Sequence, residues 1–462
     1  GFEIKPALAK SWEVSDDGLT ITFNLQEGVT WHDGTPFTSA DVQHSIMSVL
    51  GEVHPRGGAT LSVVESVDTP DDLTAVFNLS QPAPYLLVSL NGYESPITAK
   101  HVFDGTDPRD NPTANAPIGT GPFKFVEWQK GQYVRLDKNE DYWQEGKPYL
   151  DRVVVRFIAD ASTRTAAMEN GELQFGAFGA IPNIDVPRLE ELDTISVTTQ
   201  GYEYFAPIMQ LQFNVEKEPF NDPAVRQAIA YAMDRDFVIE NIWFGYGKAA
   251  TGPISSNFEA TGLYSVDGVV DYASAGIDKA NEILDAAGYE RGADGMRFTM
   301  VHDLTPYGED WRRFGEYVKQ KLAQIGINAE LRYEDVATWL KRVYTDYDYE
   351  MSSNWLFGLP DPVLGVHRQY HSNQIRPGTV FVNGTRWSTA ETDALMDAAK
   401  TETDAVKRAD IYKEFQQTIV EAAPIVFMHE MEFTTVYASS LQNAVVGPLG
   451  VYHNFADMYF EE

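Results

Sequence analysis

The chain has 462 residues, 43% hydrophobic and 12% aromatic, enough to bury two or three cores, which excludes a disordered or collagen-like chain. Against 35 Lys and Arg stand 68 Asp and Glu, a formal charge of −33 that repels phosphate backbones and anionic lipid, so nucleic acid is not an expected partner. With no cysteine there is no disulfide framework, thiolate metal site or cysteine nucleophile, as suits an extracytoplasmic protein, and no run approaches the roughly 18 apolar residues of a membrane span.

In chain order, Leu19–Leu25 alternates apolar and polar residues behind the turn Asp16-Asp17-Gly18, which predicts a half-buried hairpin. Thr38-Ser39-Ala40-Asp41 caps a helix whose apolar positions are Val42, Ile46, Val49 and Leu50. Strands are predicted at Leu73–Leu79, Phe123–Trp128, Tyr133–Leu136 and Val153–Ile158, the last a continuous apolar run suited to burial on both faces. An aromatic-rich strand over Gly201–Asn214, ahead of helix Ala224–Met233, reads as a crossover between lobes. A second lobe then alternates helix Asp278–Ala287, strand Arg297–His302, helix Arg312–Ile325 and strand Asn328–Tyr333, with Gly288 and Gly326 as helix stops. Helices Thr389–Lys400 and Asp404–Ala422 precede the apolar run Pro424–Met428, which reads as a strand returning to the first lobe. The fold class is α/β, two lobes joined by two crossings.

Few residues form a reactive constellation. His367 and His371 stand four apart but lack the glutamate of a metalloprotease, and the adjacent Pro360 and Pro362 argue against a regular helix there, so no metal is expected. His32-Asp33-Gly34 reads as a turn with a hydrogen-bonded histidine, since no nucleophile lies near it. Gly119-Thr-Gly-Pro122 is half a phosphate loop with one amide donor removed by proline, hence a structural turn. No catalytic residue and no cofactor is expected. Aromatic clusters are the better signal: Tyr202, Tyr204 and Phe205 at the crossover, and Trp355 with Phe357 in the turn-rich segment Asn354–Pro362, where binding residues concentrate on loops.

Several motifs in order resemble the family 5 solute-binding proteins of ABC transporters, the dipeptide, oligopeptide and nickel type. They run from Pro6-Ala-Leu-Ala-Lys-Ser-Trp12, Trp31-His-Asp-Gly-Thr-Pro36 and Pro117-Ile-Gly-Thr-Gly-Pro-Phe123 through Asp141-Tyr-Trp143 and Pro219-Phe-Asn-Asp-Pro-Ala-Val-Arg-Gln-Ala228. Ala40-Asp41-Val42, Gly171-Glu172, Met233-Asp234-Arg235, Ile325-Gly-Ile327, Trp355 with Asp361-Pro362, and Arg408, Tyr412 and Gln416 ahead of Pro424 complete the set. The resemblance implies the two-lobe periplasmic-binding-protein fold, type II, cluster C, with an extra small subdomain in lobe I and two hinge crossovers. Mapped onto this chain, lobe I covers 1–212 with the subdomain at about 20–120, lobe II covers 213–425, and 426–462 return to lobe I. It also implies a few tens of residues ahead of Ile4, including a first-lobe strand, and a monomeric, non-enzymatic, periplasmic or extracytoplasmic receptor that delivers a small solute to a membrane permease.

The resemblance also shows a departure. Peptide binders of the family carry an Asp three residues after the tryptophan, to pair with the ligand's amino terminus; here that position is Gly358. Dipeptide binders place an Arg before a Pro-Tyr pair, and here Thr305 precedes Pro306-Tyr307. A zwitterionic dipeptide would leave both charges unpartnered, which costs several kcal/mol. The expected ligand is an oligosaccharide, an opine-like conjugate or a peptide held another way, contacted by Asn354, Trp355, Phe357, Gly358, Tyr307 and Arg368, by Tyr202, Tyr204 and Phe205, and by Asn91 and Tyr93. The alternatives are a secreted hydrolase with an aromatic cleft and a chemoreceptor or chaperone-like interaction protein.

Overall fold

A computed structural model describes residues 3–54, 56–274 and 276–461. The chain forms two compact units, the first built from Phe2–Glu203 with Phe433–Glu462 and the second from Tyr204–Glu432.

The first unit opens with β1 (Ala9–Val14), β2 (Thr20–Leu25), β3 (Val64–Asp71) and β4 (Thr74–Leu79), an antiparallel sheet in the order β1-β2-β4-β3. Strands β1 and β2 form the expected hairpin, with Val14 opposite Ile21 and Gly18 at φ +69 in the turn. Thr38 caps the expected helix, its amide donating to Asp41 Oδ2 at 2.9 Å in a capping box, and the helix continues through Leu50. The His32 ring is used by the Gly119–Pro122 turn: Nδ1 accepts from Gly119 N, and Nε2 lies 3.0 Å from Gly121 O. Strands β5 (Phe123–Gln129), β6 (Tyr133–Lys138) and β7 (Arg152–Arg156) make a second sheet, and β8 (Phe175–Gly176) and β9 (Ile195–Thr198) belong to a third. Here the expectation for Val153–Ile158 is corrected. Among the described residues β7 is a sheet edge paired with β6 alone, so Val154 and Val155 remain 47% and 45% exposed instead of buried on both faces.

The second unit holds one six-stranded mixed sheet of β10 (Pro207–Phe213), β11 (Gly247–Ala249), β12 (Phe298–Asp303), β13 (Ile327–Arg332), β14 (Met351–Phe357) and β15 (Ile425–Met431), in the order β11-β15-β10-β14-β12-β13. Strands β10 and β15 are buried along their whole length, as continuous apolar runs with paired neighbours on each side should be. The expected helices occur at Pro223–Ala232, Gly276–Ala286, Glu309–Gln324, Ala390–Thr401 and Ala405–Ala422. The aromatic segment differs from its expectation. Residues 203–205 form a turn, and Ala206 at φ +40 breaks the strand that begins only at Pro207. Strands β10 and β15 pair with each other, and both lie inside the second unit. The chain re-enters the first unit at Phe433, where β16 (Thr435–Ala438) inserts between β8 and β9, and β17 (Leu441–Gln442) pairs with β18 (Tyr459–Phe460).

Candidate functional site

Strand β14 carries the aromatic pair of the second unit. Alternation along a strand sends residues two apart to one face, so Trp355 and Phe357 share a face and are half-buried while Asn354 and Leu356 point inward. The Trp355 and Phe357 rings meet edge to face at 5.0 Å, and Phe357 lies 5.0 Å from Phe205, which in turn packs on Tyr204 at 5.5 Å. Phe205 and Tyr204 are themselves buried and form the root of this wall.

Asn354 is an internal strut: its Nδ2 donates to the Tyr344 hydroxyl at 2.6 Å and its Oδ1 accepts from Trp355 N at 2.8 Å. Burial pushes the Tyr344 phenol up, opposed by the Arg368 charge and by the Asn354 and Gln212 amides. Arg368, half-buried, donates through Nε to Gly365 O at 3.1 Å and through Nη2 to Phe357 O at 3.4 Å, so its guanidinium is oriented by the end of the same strand. Tyr307 is 41% exposed, with its ring edge-on to Trp311 and Trp339.

The two positions read as lost anchors have physical occupants. Gly358 N donates to Ala206 O at 3.2 Å, and a Cβ there would stand only 3.2 Å from that same oxygen, so any larger residue forces a shift. Thr305 is buried, its amide donating to Ser353 Oγ at 3.0 Å and its hydroxyl to Ser353 O at 2.6 Å.

The first unit carries a separate aromatic ladder. Asn91 builds a turn: its Oδ1 accepts from Tyr93 N at 2.9 Å and from Glu94 N at 3.2 Å, which presents Tyr93. The Tyr93 ring lies 4.5 Å from Tyr452; Tyr452 meets Phe178 at 5.8 Å, and Phe178 meets Tyr202 at 4.8 Å and Phe433 at 5.0 Å. Arg56 sits 5.4 Å over the Tyr93 ring while forking onto Glu94, with Nε–Oε2 at 2.9 Å and Nη2–Oε1 at 2.6 Å. Tyr202 is buried, and its hydroxyl accepts from Phe178 N at 2.8 Å and pairs with Thr435 Oγ1. Phe178 needs that support, being a non-glycine residue at φ +57.

Thus the structure groups Asn354, Trp355, Phe357, Gly358, Phe205, Tyr204 and Arg368 in one unit, with Tyr307 at the exposed margin of a neighbouring aromatic cluster. It groups Asn91, Tyr93 and Tyr202 in the other. Arg56, Phe178, Phe433 and Tyr452 escape a reading of sequence, since only the insertion of β16 beside β8 brings residues near 178 against those near 433.

The profile of the bacterial extracellular solute-binding proteins, family 5 (middle part), matches residues 3–377. The chain belongs to this family. It is similar to the dipeptide-binding protein of Escherichia coli, 28% identical over 98% of this chain and 85% of that protein. A putative ABC transporter peptide-binding protein of Brucella ovis is 31% identical, covering 96% of this chain and 81% of its own length. Among solved structures, a periplasmic binding protein of A. tumefaciens R10 in complex with agropinic acid superposes with a TM-score of 0.80 at 28% identity, over 99% of this chain and 90% of its own. Like other family 5 proteins, this one has the two-lobe binding-protein fold and serves as the solute-binding component that delivers its ligand to an ABC transporter. The relatives are extracytoplasmic binding proteins, and among the described residues no helix is long and apolar enough to cross a membrane.

Proposed function

We propose that the solute is an amphipathic organic molecule without a free α-ammonium group, of the sugar-conjugate or opine type, held by aromatic faces and by Arg368. The observation that carries this reading is the pair of substitutions at Gly358 and Thr305. At one position a Cβ would stand 3.2 Å from Ala206 O, so a carboxylate side chain fits only if that neighbour shifts, and the other holds a buried hydroxyl engaged by Ser353. Aromatic faces such as those of Trp355 and Phe357 suit the apolar faces of sugar rings, and a guanidinium suits a carboxylate. The relative bound to agropinic acid supports this ligand class, although the relatives from E. coli and B. ovis carry peptide-binding names.

On this reading ligand binding favours the closed state through contacts available only there, the protein acts as a monomer, and no bond in the ligand is broken. Native mass spectrometry of the purified protein, followed by denaturation and identification of what is released, tests it. A released opine- or sugar-type molecule, recovered intact after long incubation, is the expected result. A released free dipeptide would overturn the ligand class, and a cleaved product would overturn the non-enzymatic reading.

A further inference from the structure

The segment that follows β14 is fastened by buried polar groups. After Phe357 the chain turns through Gly358 and Leu359, the latter at φ +56, enters the short helix Pro362–Gly365 and passes through His367–Gln369. This helix presses directly on the end of the strand. A Cβ on Gly365 would come within 2.2 Å of Gly358 O and 2.5 Å of Phe357 O, so only glycine fits at that contact.

Two buried residues bracket the turn. Asp361 accepts from Val363 N at 3.0 Å to cap the helix, and both its oxygens are held by the Arg408 fork, Nη1–Oδ2 at 2.7 Å and Nη2–Oδ1 at 2.8 Å. The Arg408 Nε donates to Ala399 O at 2.8 Å, at the end of helix Ala390–Thr401. Its Nη2 also reaches the Tyr412 hydroxyl at 3.4 Å, and that hydroxyl shares a hydrogen bond with His367 Nε2 at 3.1 Å. One arginine on helix Ala405–Ala422 therefore holds a second helix and both ends of the turn. Asp361 stands a few residues beyond Phe357, and His367 directly precedes Arg368.

An apolar contact of similar volume would join these elements at least as firmly as a buried ion pair, so adhesion alone does not account for the charges. A bidentate fork, by contrast, fixes angle as well as distance. We infer that Asp361, Arg408, Tyr412 and His367 form a positioning clamp that sets the register of the turn and thereby aims Phe357 and Arg368 at the ligand. The inference rests on the reading of Phe357 and Arg368 as ligand contacts.

Hydrogen–deuterium exchange on the ligand-free full-length protein tests the clamp without requiring a ligand. Asp361→Asn keeps the cap acceptor but loses the charge; it should speed exchange at least tenfold in peptides spanning 357–371 and leave those of helix Pro223–Ala232 unchanged. Arg408→Lys keeps the charge but not the fork and should fail to restore slow exchange. Tyr412→Phe, the mildest change, should speed exchange severalfold around 366–371 only. Unchanged exchange in 357–371, a uniform increase across the second unit, or wild-type behaviour of Arg408→Lys would each overturn the inference. With agropinic acid as probe, a wild type that binds should lose at least tenfold in affinity on Asp361→Asn, and an unchanged affinity would overturn the aiming role. A wild type that does not bind counts against the ligand class alone, and the exchange data still decide the clamp.

Discussion

The two aromatic surfaces use the same side-chain chemistry on different supports. The wall of the second unit stands on β14, which pairs with β10 along its length and with β12 at Met351 and Ser352, and is backed by the buried Phe205 and by a polar strut at Asn354. The ladder of the first unit stands on loops at Tyr93, Phe178 and Tyr452, where rings support rings and one phenol hydroxyl steadies a residue in left-handed backbone. A strand-borne ring can be removed without disturbing its mount. A ladder ring is part of the mount for the next one.

The largest effect should come from the root of the wall. Phe205→Ala removes a fully buried ring and should cost about 3–5 kcal/mol in denaturant unfolding; full stability would show that the wall has no root there. Acid should come next. His302 and His429, both in the second unit and fully buried with neither ring nitrogen finding a hydrogen-bond partner among the described residues, are driven by burial down to about 3. The unfolded chain takes up these protons below about pH 6.5 while the folded chain does not until about 3, so stability is complete above 6.5 and declines as pH falls. Each histidine should cost about 2 kcal/mol by pH 5, read as a drop in unfolding free energy between pH 7.5 and pH 5, and a flat profile would contradict the burial of these rings.

Trp355→Ala should lower ligand affinity at least tenfold, about 1.4 kcal/mol, and leave the Tm of ligand-free protein nearly unchanged; a large fall in Tm would erase the contrast with the ladder. Tyr202→Phe strips the hydroxyl from Phe178 N and Thr435 and should cost about 1–2 kcal/mol in denaturant unfolding. The smallest effect should be that of salt. A formal charge of −33 repels itself, so Tm should rise by a few degrees as ionic strength screens it, and an unchanged Tm would mean that the acidic groups are already neutralised in pairs.

Local pattern carried most of the element positions. Alternation located β2 and β4, glycine stops located the ends of the helices before Gly288 and Gly326, and the spacing of Trp355 and Phe357 put them on one face. What pattern could not supply was neighbours. Val153–Val155 and Ile425–Met428 are alike as apolar runs, yet one lies on an edge and the other inside a sheet, because burial of a strand is decided by what pairs with it. The same limit hid three of the ladder's five rings. Phe178, Phe433 and Tyr452 are ordinary aromatics in sequence, and the hydrogen bond from Phe178 N to Tyr202 depends on tertiary contacts that no local periodicity encodes.

Strands β10 and β15 run antiparallel, and Ile208 is a direct partner of Glu430. The second unit is thus one uninterrupted stretch of chain whose ends emerge beside each other, the topology of a domain inserted into a host loop. Such a cassette can in principle be exchanged between relatives as a block, through two peptide junctions, while its six-stranded sheet stays whole.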